Sequence, residues 1–139
     1  MPDSLIGVLE AFRERMETVR SAGDRLAATL AEGGRILAAG NGGSACDALH
    51  LCEELTGRYR RERRPLAAVC LNADPAALTC IGNDYGFEQV FARQVEALGR
   101  PGDTLVLFTT SGRSRNLVEA ARVARATGVG TVAVSGRSA

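Results

Sequence analysis

The 139-residue chain contains no lysine and no tryptophan, and its one histidine is His50. Each shortage removes a class of chemistry. Without lysine there is no Schiff base and no P-loop lysine to grip a nucleotide's phosphates. One imidazole per chain excludes a His-rich zinc centre built within the chain. Aromatic residues make up 4% of the sequence, too few for the stacking platforms that hold single-stranded nucleic acid. No apolar run reaches bilayer-spanning length, and Asp3 stands where a secretory signal would be basic. The four cysteines, Cys46, Cys52, Cys70 and Cys80, form no CxxC pair. Small buried thiols in a reducing compartment are therefore expected rather than a disulfide framework. The chain is expected in the cytoplasm, with no membrane and no nucleic acid among its partners.

The charges nearly cancel. Seventeen basic residues, all arginine, stand against 16 acidic ones, for a net charge of +1. No global field draws the chain to nucleic acid or to an anionic membrane. With 45% hydrophobic and 24% charged residues, the composition is that of a folded domain, and residues 1–139 read as one.

The first segment, residues 3–32, reads as one long amphipathic helix. Leu5, Leu9, Phe12, Met16, Val19, Gly23, Leu26 and Leu30 step by four and three residues in turn. Asp3 or Ser4 can cap its start, and Gly33-Gly34 ends it. The stripe is long for so small a domain, which points to a bundle with other subunits. From residue 35 onward, short apolar runs alternate with helical segments. Strands are expected at Ile36–Ala39, Leu66–Leu71, Thr104–Phe108 and Thr131–Val134. Helices are expected over 45–56, 87–98 and about 116–126. That alternation predicts an α/β core with a parallel sheet covered on both faces.

Three stretches can carry chemistry. Gly40-Asn41-Gly42-Gly43-Ser44 places backbone N–H groups and a helix start at the carboxyl end of a strand, a setting that suits an anion. It is not GxGxxG, so a nucleotide is not the natural ligand. Many α/β domains have such a turn and no ligand. Thr109-Thr110-Ser111-Gly112-Arg113-Ser114 follows a buried strand and precedes a helix. Its four hydroxyls exceed what one N-cap requires, and they can surround a phosphate without a charged side chain. Asp47, His50 and Glu54 share a helix face; a His and a Glu four residues apart can bind a metal or set a carboxylate base beside an imidazole. An ordinary helix-edge histidine bonded to its neighbour is the alternative. The cluster Arg58, Arg60, Arg61, Arg63 and Arg64 lies in a connection and reads as a solvated loop, or one touching a neighbouring subunit or an anionic sugar.

Taken together, Gly40–Ser44, Cys46-Asp47-Ala48-Leu49-His50 and Glu53-Glu54-Leu55-Thr56-Gly57-Arg58-Tyr59 resemble the phosphoheptose isomerases of the sugar isomerase (SIS) domain family. Ile81–Phe87 and Thr109–Ser114 fit the same family in order and spacing. The resemblance implies a three-layer α/β/α sandwich with a parallel sheet, preceded by the oligomerisation helix. It implies a homotetramer that converts sedoheptulose 7-phosphate to D-glycero-D-manno-heptose 7-phosphate, a precursor of ADP-heptose and lipopolysaccharide. By resemblance, Asn41, Gly42, Gly43, Ser44, Asn83 and Asp84 contact the sugar, and Thr109, Thr110, Ser111 and Ser114 hold its phosphate. His50 and Glu54 ligate zinc, with Glu54 also the catalytic base. The family's further zinc ligands, a Gln and a second His that is also the acid, lie in a C-terminal segment. The 139 residues contain no second His. The expectation is a C-terminally incomplete SIS domain that binds zinc weakly or not at all and lacks measurable isomerase activity. The alternative is a non-catalytic SIS protein that binds a phosphosugar or scaffolds a partner.

Overall fold

The computed structural model describes residues 4–136. The strands are β1 (Ile36–Gly40), β2 (Ala68–Cys70), β3 (Thr104–Thr109) and β4 (Gly130–Ser135). They form one sheet in the order β2-β1-β3-β4, with every neighbouring pair parallel. The helices are α1 (Leu5–Arg13), α2 (Met16–Ala31), α3 (Gly43–Thr56), α4 (Pro75–Tyr85), α5 (Ala92–Leu98) and α6 (Arg115–Ala126), with a 3-10 turn at Phe87–Gln89.

β1 is buried along its whole length, as the central strand of a sheet covered on both faces must be. Because side chains alternate along a strand, β1 and β3 feed two separate cores. Leu37, Ala39, Leu105 and Leu107 pack with Phe91, Val95, Leu117 and Ala120 from the α5–α6 side. Ile36, Ala38 and Val106 pack with Ala48 and Cys52 of α3, and Leu26 and Leu30 of α2 close over them. The expected three-layer α/β/α arrangement is the one found.

The expected 3–32 helix is broken, and its residue 3 lies outside the described residues. α1 stops at Arg13 and α2 starts at Met16, with the Arg15 N–H donating to the Phe12 carbonyl at 2.9 Å in a tighter turn. Nothing in Arg13-Glu14-Arg15 accounts for the break. Ser4 caps α1 by accepting from the Gly7 N–H. α2 ends as expected: Gly33 has φ +85°, its N–H donates to the Leu30 carbonyl, and the Gly34 N–H reaches back to Thr29. That is a Schellman ending, which glycine adopts without strain. Leu5, Leu9, Phe12, Met16 and Val19 are exposed, Leu5 at 74%, so nothing among the described residues covers the forward half of the stripe.

Other boundaries move for local reasons. β2 is three residues long because the Leu66 N–H donates to the Leu55 carbonyl at the end of α3. The expected 87–98 helix splits into the 3-10 turn and α5; Val90, Phe91 and Val95 are buried, while Phe87 is exposed. α4 is an element the pattern reading passed over. Asp74 accepts from the N–H groups of Ala76 and Ala77, and Pro75 takes the first helical position. All four cysteines are free, but only Cys52 and Cys70 are buried; Cys46 and Cys80 are exposed, against the expectation of buried thiols. The buried two interact. The hydrogen bond from Cys52 holds the Cys70 thiol down to about 7, and the same contact together with burial pushes Cys52 up.

At the amino end of the sheet, Asp103 is 4% exposed and fully used. It accepts from the Arg35 N–H at 2.8 Å, the Arg35 guanidinium at 2.8 Å and the Arg100 N–H at 2.9 Å. Nearby, the Thr29 and Thr104 hydroxyls share a buried hydrogen bond of 2.7 Å, tying α2 to β3. These bonds tie the amino end together, while ligands of open parallel sheets bind at the carboxyl ends of the strands. Among the described residues no helix is long and apolar enough to cross a membrane.

Candidate functional site

β1 and β3 are neighbours in register, with Gly40 opposite Phe108. The helix after β1 packs on one face of the sheet and the helix after β3 packs on the other. Between them the strand order reverses, and a crevice opens at the carboxyl ends, the usual ligand position in an open parallel sheet.

The glycine turn forms one wall. A Cβ at Gly40 would collide with the backbone oxygen of Ser44, so only glycine lets α3 start so close to β1. Gly42 has φ +57°. The Asn72 amide clamps the Gly40 residue from the side: Oδ1 accepts its N–H at 3.1 Å, and Nδ2 donates to its carbonyl at 2.9 Å. The opposite wall is the hydroxyl loop. Thr109 Oγ1 accepts from the Gly112 N–H at 3.1 Å and Ser111 Oγ from the Arg113 N–H at 3.2 Å, so these two shape the loop itself. Ser114 occupies the N-cap position of α6 but makes no capping bond. Its hydroxyl instead lines a small cavity of about 50 Å³ with Asn41, Ser44, Phe108, Thr109 and Thr110. An N-cap role alone thus does not explain Ser114. Hydroxyls at the start of a 12-residue helix, facing a glycine turn, suit an anion. Ser111 shapes the loop and does not line that cavity.

Beyond Phe108 lies a larger, open hollow of about 500 Å³, lined by Asp47, His50, Leu51, Glu54, Tyr59, Phe108 and Val134. His50 Nε2 lies 3.3 Å from Glu54 Oε1. The donor atoms of His50, Glu53 and Glu54 all lie within 4.8 Å of one another, a group that can offer one imidazole and two carboxylates to a metal. Asp47 shares the hollow but not this group; Glu53 takes the third place. Tyr59 was not singled out from the sequence, and only its position after the Thr-Gly-Arg run hinted at a role. Of the arginine cluster, Arg63 donates to the carbonyls of Glu54, Leu55 and Arg64 and so secures the end of α3. Arg60 lies over the Tyr59 ring at 5.1 Å.

Asn83 and Asp84 occupy the last turn of α4, exposed, and line neither hollow. Asn83 Nδ2 donates to Asp84 Oδ1 at 2.7 Å, and the Cys80 thiol reaches Asp84 Oδ2 at 3.7 Å. Phe87 and Glu88, just beyond them, border a third hollow with Asn41, Ser114, Arg115 and Asn116. Gly86, at φ +90°, turns the chain toward that position.

Comparison with known proteins places this geometry in a family. The SIS domain model matches residues 3–136. A phosphoheptose isomerase of Streptomyces coelicolor is 55% identical over 136 residues, covering 98% of this chain and 59% of that protein. One from Neisseria meningitidis serogroup A is 47% identical, covering 97% of this chain and 68% of its own length. The chain thus spans about three-fifths to two-thirds of the length of these curated relatives. Among solved structures, phosphoheptose isomerase GmhA from Neisseria gonorrhoeae superposes with a TM-score of 0.85 at 46% identity, over 91% of this chain and 66% of that one. A phosphoheptose isomerase from Francisella tularensis gives 0.79 at 33% identity, over 94% and 74%.

If the hydroxyl loop holds an anion, millimolar inorganic phosphate raises the thermal unfolding midpoint. Ser111→Ala combined with Ser114→Ala removes that shift while leaving the ligand-free midpoint within a few degrees. An unaltered phosphate shift in the double variant, followed by differential scanning fluorimetry, would clear the loop of this role.

Proposed function

Because the chain belongs to the SIS domain family, among its phosphoheptose isomerases, we propose that it serves the interconversion of sedoheptulose 7-phosphate and D-glycero-D-manno-heptose 7-phosphate in the cytoplasm, supplying heptose for lipopolysaccharide precursors. The observation that carries this reading is the layout at the β1–β3 crevice. A hydroxyl-lined anion cavity and a hollow bearing Glu54 lie on either side of Phe108. A phosphosugar has the matching layout, with an anion at one end and the reacting carbonyl at the other.

The reaction moves a proton between adjacent carbons through an enediol, and the electrons stay within the substrate. It needs a base near those carbons and a fixed position for the rest of the chain. Glu54 is the base. It takes the proton from one carbon and returns it to its neighbour. Thr109, Thr110 and Ser114, which line the small cavity, hold the phosphate, with Ser111 assigned to it from the resemblance alone, and Asn41, Gly42, Gly43 and Ser44 form the turn against which the sugar lies. Asn83 and Asp84 are assigned to the sugar from the resemblance alone. His50 and Glu54 hold zinc, and Glu53 stands close enough to join them. When bound, zinc acts as a Lewis acid toward the sugar's oxygens. The donor set fits one side of such a site: an imidazole and carboxylates are zinc's ordinary ligands. The apolar stripe of α1 and α2 is proposed to pair with other copies in a homotetramer.

A second reading is favoured by one observation. His50 is the only imidazole and it sits on the metal group, so these 139 residues offer no separate imidazole acid. A non-catalytic phosphosugar-binding or scaffolding role would need none. Turnover of sedoheptulose 7-phosphate separates the two readings.

Three outcomes are expected. In a polypeptide that also carries the family's Gln and second His, Glu54→Gln lowers kcat by a factor on the order of 100 and leaves sugar-phosphate affinity nearly unchanged; equal turnover removes Glu54 as base. Calorimetric titration of the metal-stripped 139-residue chain shows weak zinc binding that His50→Ala abolishes, because one imidazole and exposed carboxylates leave much of the coordination to water; tight stoichiometric zinc would contradict this donor set. Met16→Glu sets a charge in the apolar stripe and shifts the sedimenting species toward monomer. A wild-type chain already monomeric at micromolar concentration would refute the assembly.

A further inference from the structure

We infer that Asn116 is a positioning residue: its buried side-chain amide holds Asn41, and through it the glycine turn, in place beside the phosphate loop. The inference rests on the reading of this crevice as a phosphosugar site.

Asn116 is 3% exposed, and both polar atoms of its amide are hydrogen-bonded. Nδ2 donates to Asn41 Oδ1 at 2.8 Å, Oδ1 accepts from Asn41 Nδ2 at 2.9 Å, and Oδ1 also takes the Leu117 N–H at 3.0 Å. The two asparagines form a closed pair of hydrogen bonds between residues 75 apart in sequence. One comes from the turn after β1 and the other from the first turn of α6. Asn41 is the residue that the resemblance gives to the sugar. Here its side-chain oxygen and nitrogen each already bond to Asn116. Its side chain therefore faces the protein, and its part in binding is to fix where the turn lies.

The turn needs an outside anchor. Gly42 and Gly43 have no side chains with which to hold themselves, and glycine loses more freedom on ordering than other residues. Asn72 fixes Gly40 through both of its polar groups, and Asn116 fixes the next residue, Asn41, from which the two glycines continue. Only an amide satisfies Asn116's position. A carboxylate would set an acceptor against Asn41 Oδ1 and bring negative charge to an anion site; an apolar side chain would leave the Asn41 amide unpaired in a half-buried place. Because the pair bridges the two walls, its loss acts on ligands that span both walls, and spares one held by the hydroxyl loop alone.

The test uses Asn116→Ala, Asn41→Ala and the double variant of the full chain, with inorganic phosphate and sedoheptulose 7-phosphate as probes in calorimetry. Hydrogen exchange is followed without ligand. In Asn116→Ala, exchange at residues 40–44 is expected to quicken while the amides of Leu105–Leu107 in β3 stay protected. Affinity for sedoheptulose 7-phosphate is expected to fall about tenfold, affinity for inorganic phosphate to stay within about twofold, and the double variant to lose no more than either single one. A merely structural role would weaken both ligands alike. The inference is overturned if exchange at 40–44 does not change, if both affinities fall together, or if the two single losses add. Should Asn116→Ala not fold, Asn41→Ala breaks the same pair from its more exposed side, and unchanged exchange at residues 42–44 overturns the inference equally. If the unaltered chain binds sedoheptulose 7-phosphate no better than inorganic phosphate, the heptose reading fails on its own, and the ligand-free exchange still decides the positioning.

Discussion

The parallel pairing of β1 with β3 sets where everything else in the crevice can lie. Gly40 stands opposite Phe108, so the turn that leaves one strand and the loop that leaves the other begin at the same height. Their helices then go to opposite faces, and the two loops part around a gap instead of packing against each other. Both strands are buried on two sides, which leaves little freedom to shift register without turning apolar side chains outward. The amino end of the same sheet is tied together by Asp103 with Arg35 and Arg100 and by the Thr29–Thr104 bond. A buried carboxylate thus ties one end together, while at the other the cavity between the two loops is lined by neutral hydroxyls and an amide.

Neutral donors matter to the chemistry proposed here. A phosphate held by hydroxyls and a helix start is positioned without a charged side chain lining its cavity. Glu54 and His50 lie on the far side of Phe108, in an open hollow rather than a sealed pocket. Their 3.3 Å contact is also what any His–Glu pair four apart on a helix would make, and taken alone it carries little weight. It gains meaning from Glu53 at the same corner and from the anion cavity across the phenyl ring.

The parts of this arrangement that were legible in the sequence are those whose signals are local. Ile36–Gly40 and the glycines after it read as strand and turn because apolar run and glycine are adjacent. The hydroxyl loop was visible because four such residues crowd between a strand and a helix. α4 was equally local, announced by Asp74-Pro75, and was overlooked among less regular residues. The break between α1 and α2 lies in a stretch of good helix formers, where no residue signals it. What could not be read is what depends on distant partners. Asn72 and Asn116 look like ordinary polar residues until folding brings them to Gly40 and Asn41, 32 and 75 positions away. Glu53 was seen as part of a motif, but its place beside His50, in preference to Asp47, is a matter of side-chain direction and not of spacing.

The span of the Asn41–Asn116 pair also dates the site in the life of the chain. Contacts between residues far apart in sequence must close large loops before they are rewarded, and parallel pairing is slow for that reason. β1 and its turn are made early, but their partner strand follows only after α4 and α5, and α6 later still. During synthesis, a nascent chain halted before residue 116 holds the glycine turn and the hydroxyl loop but not the amide that pins Asn41. The second anchor of the turn is therefore supplied only with α6, after β1 and β3 have both been made, and β4 completes the sheet later still.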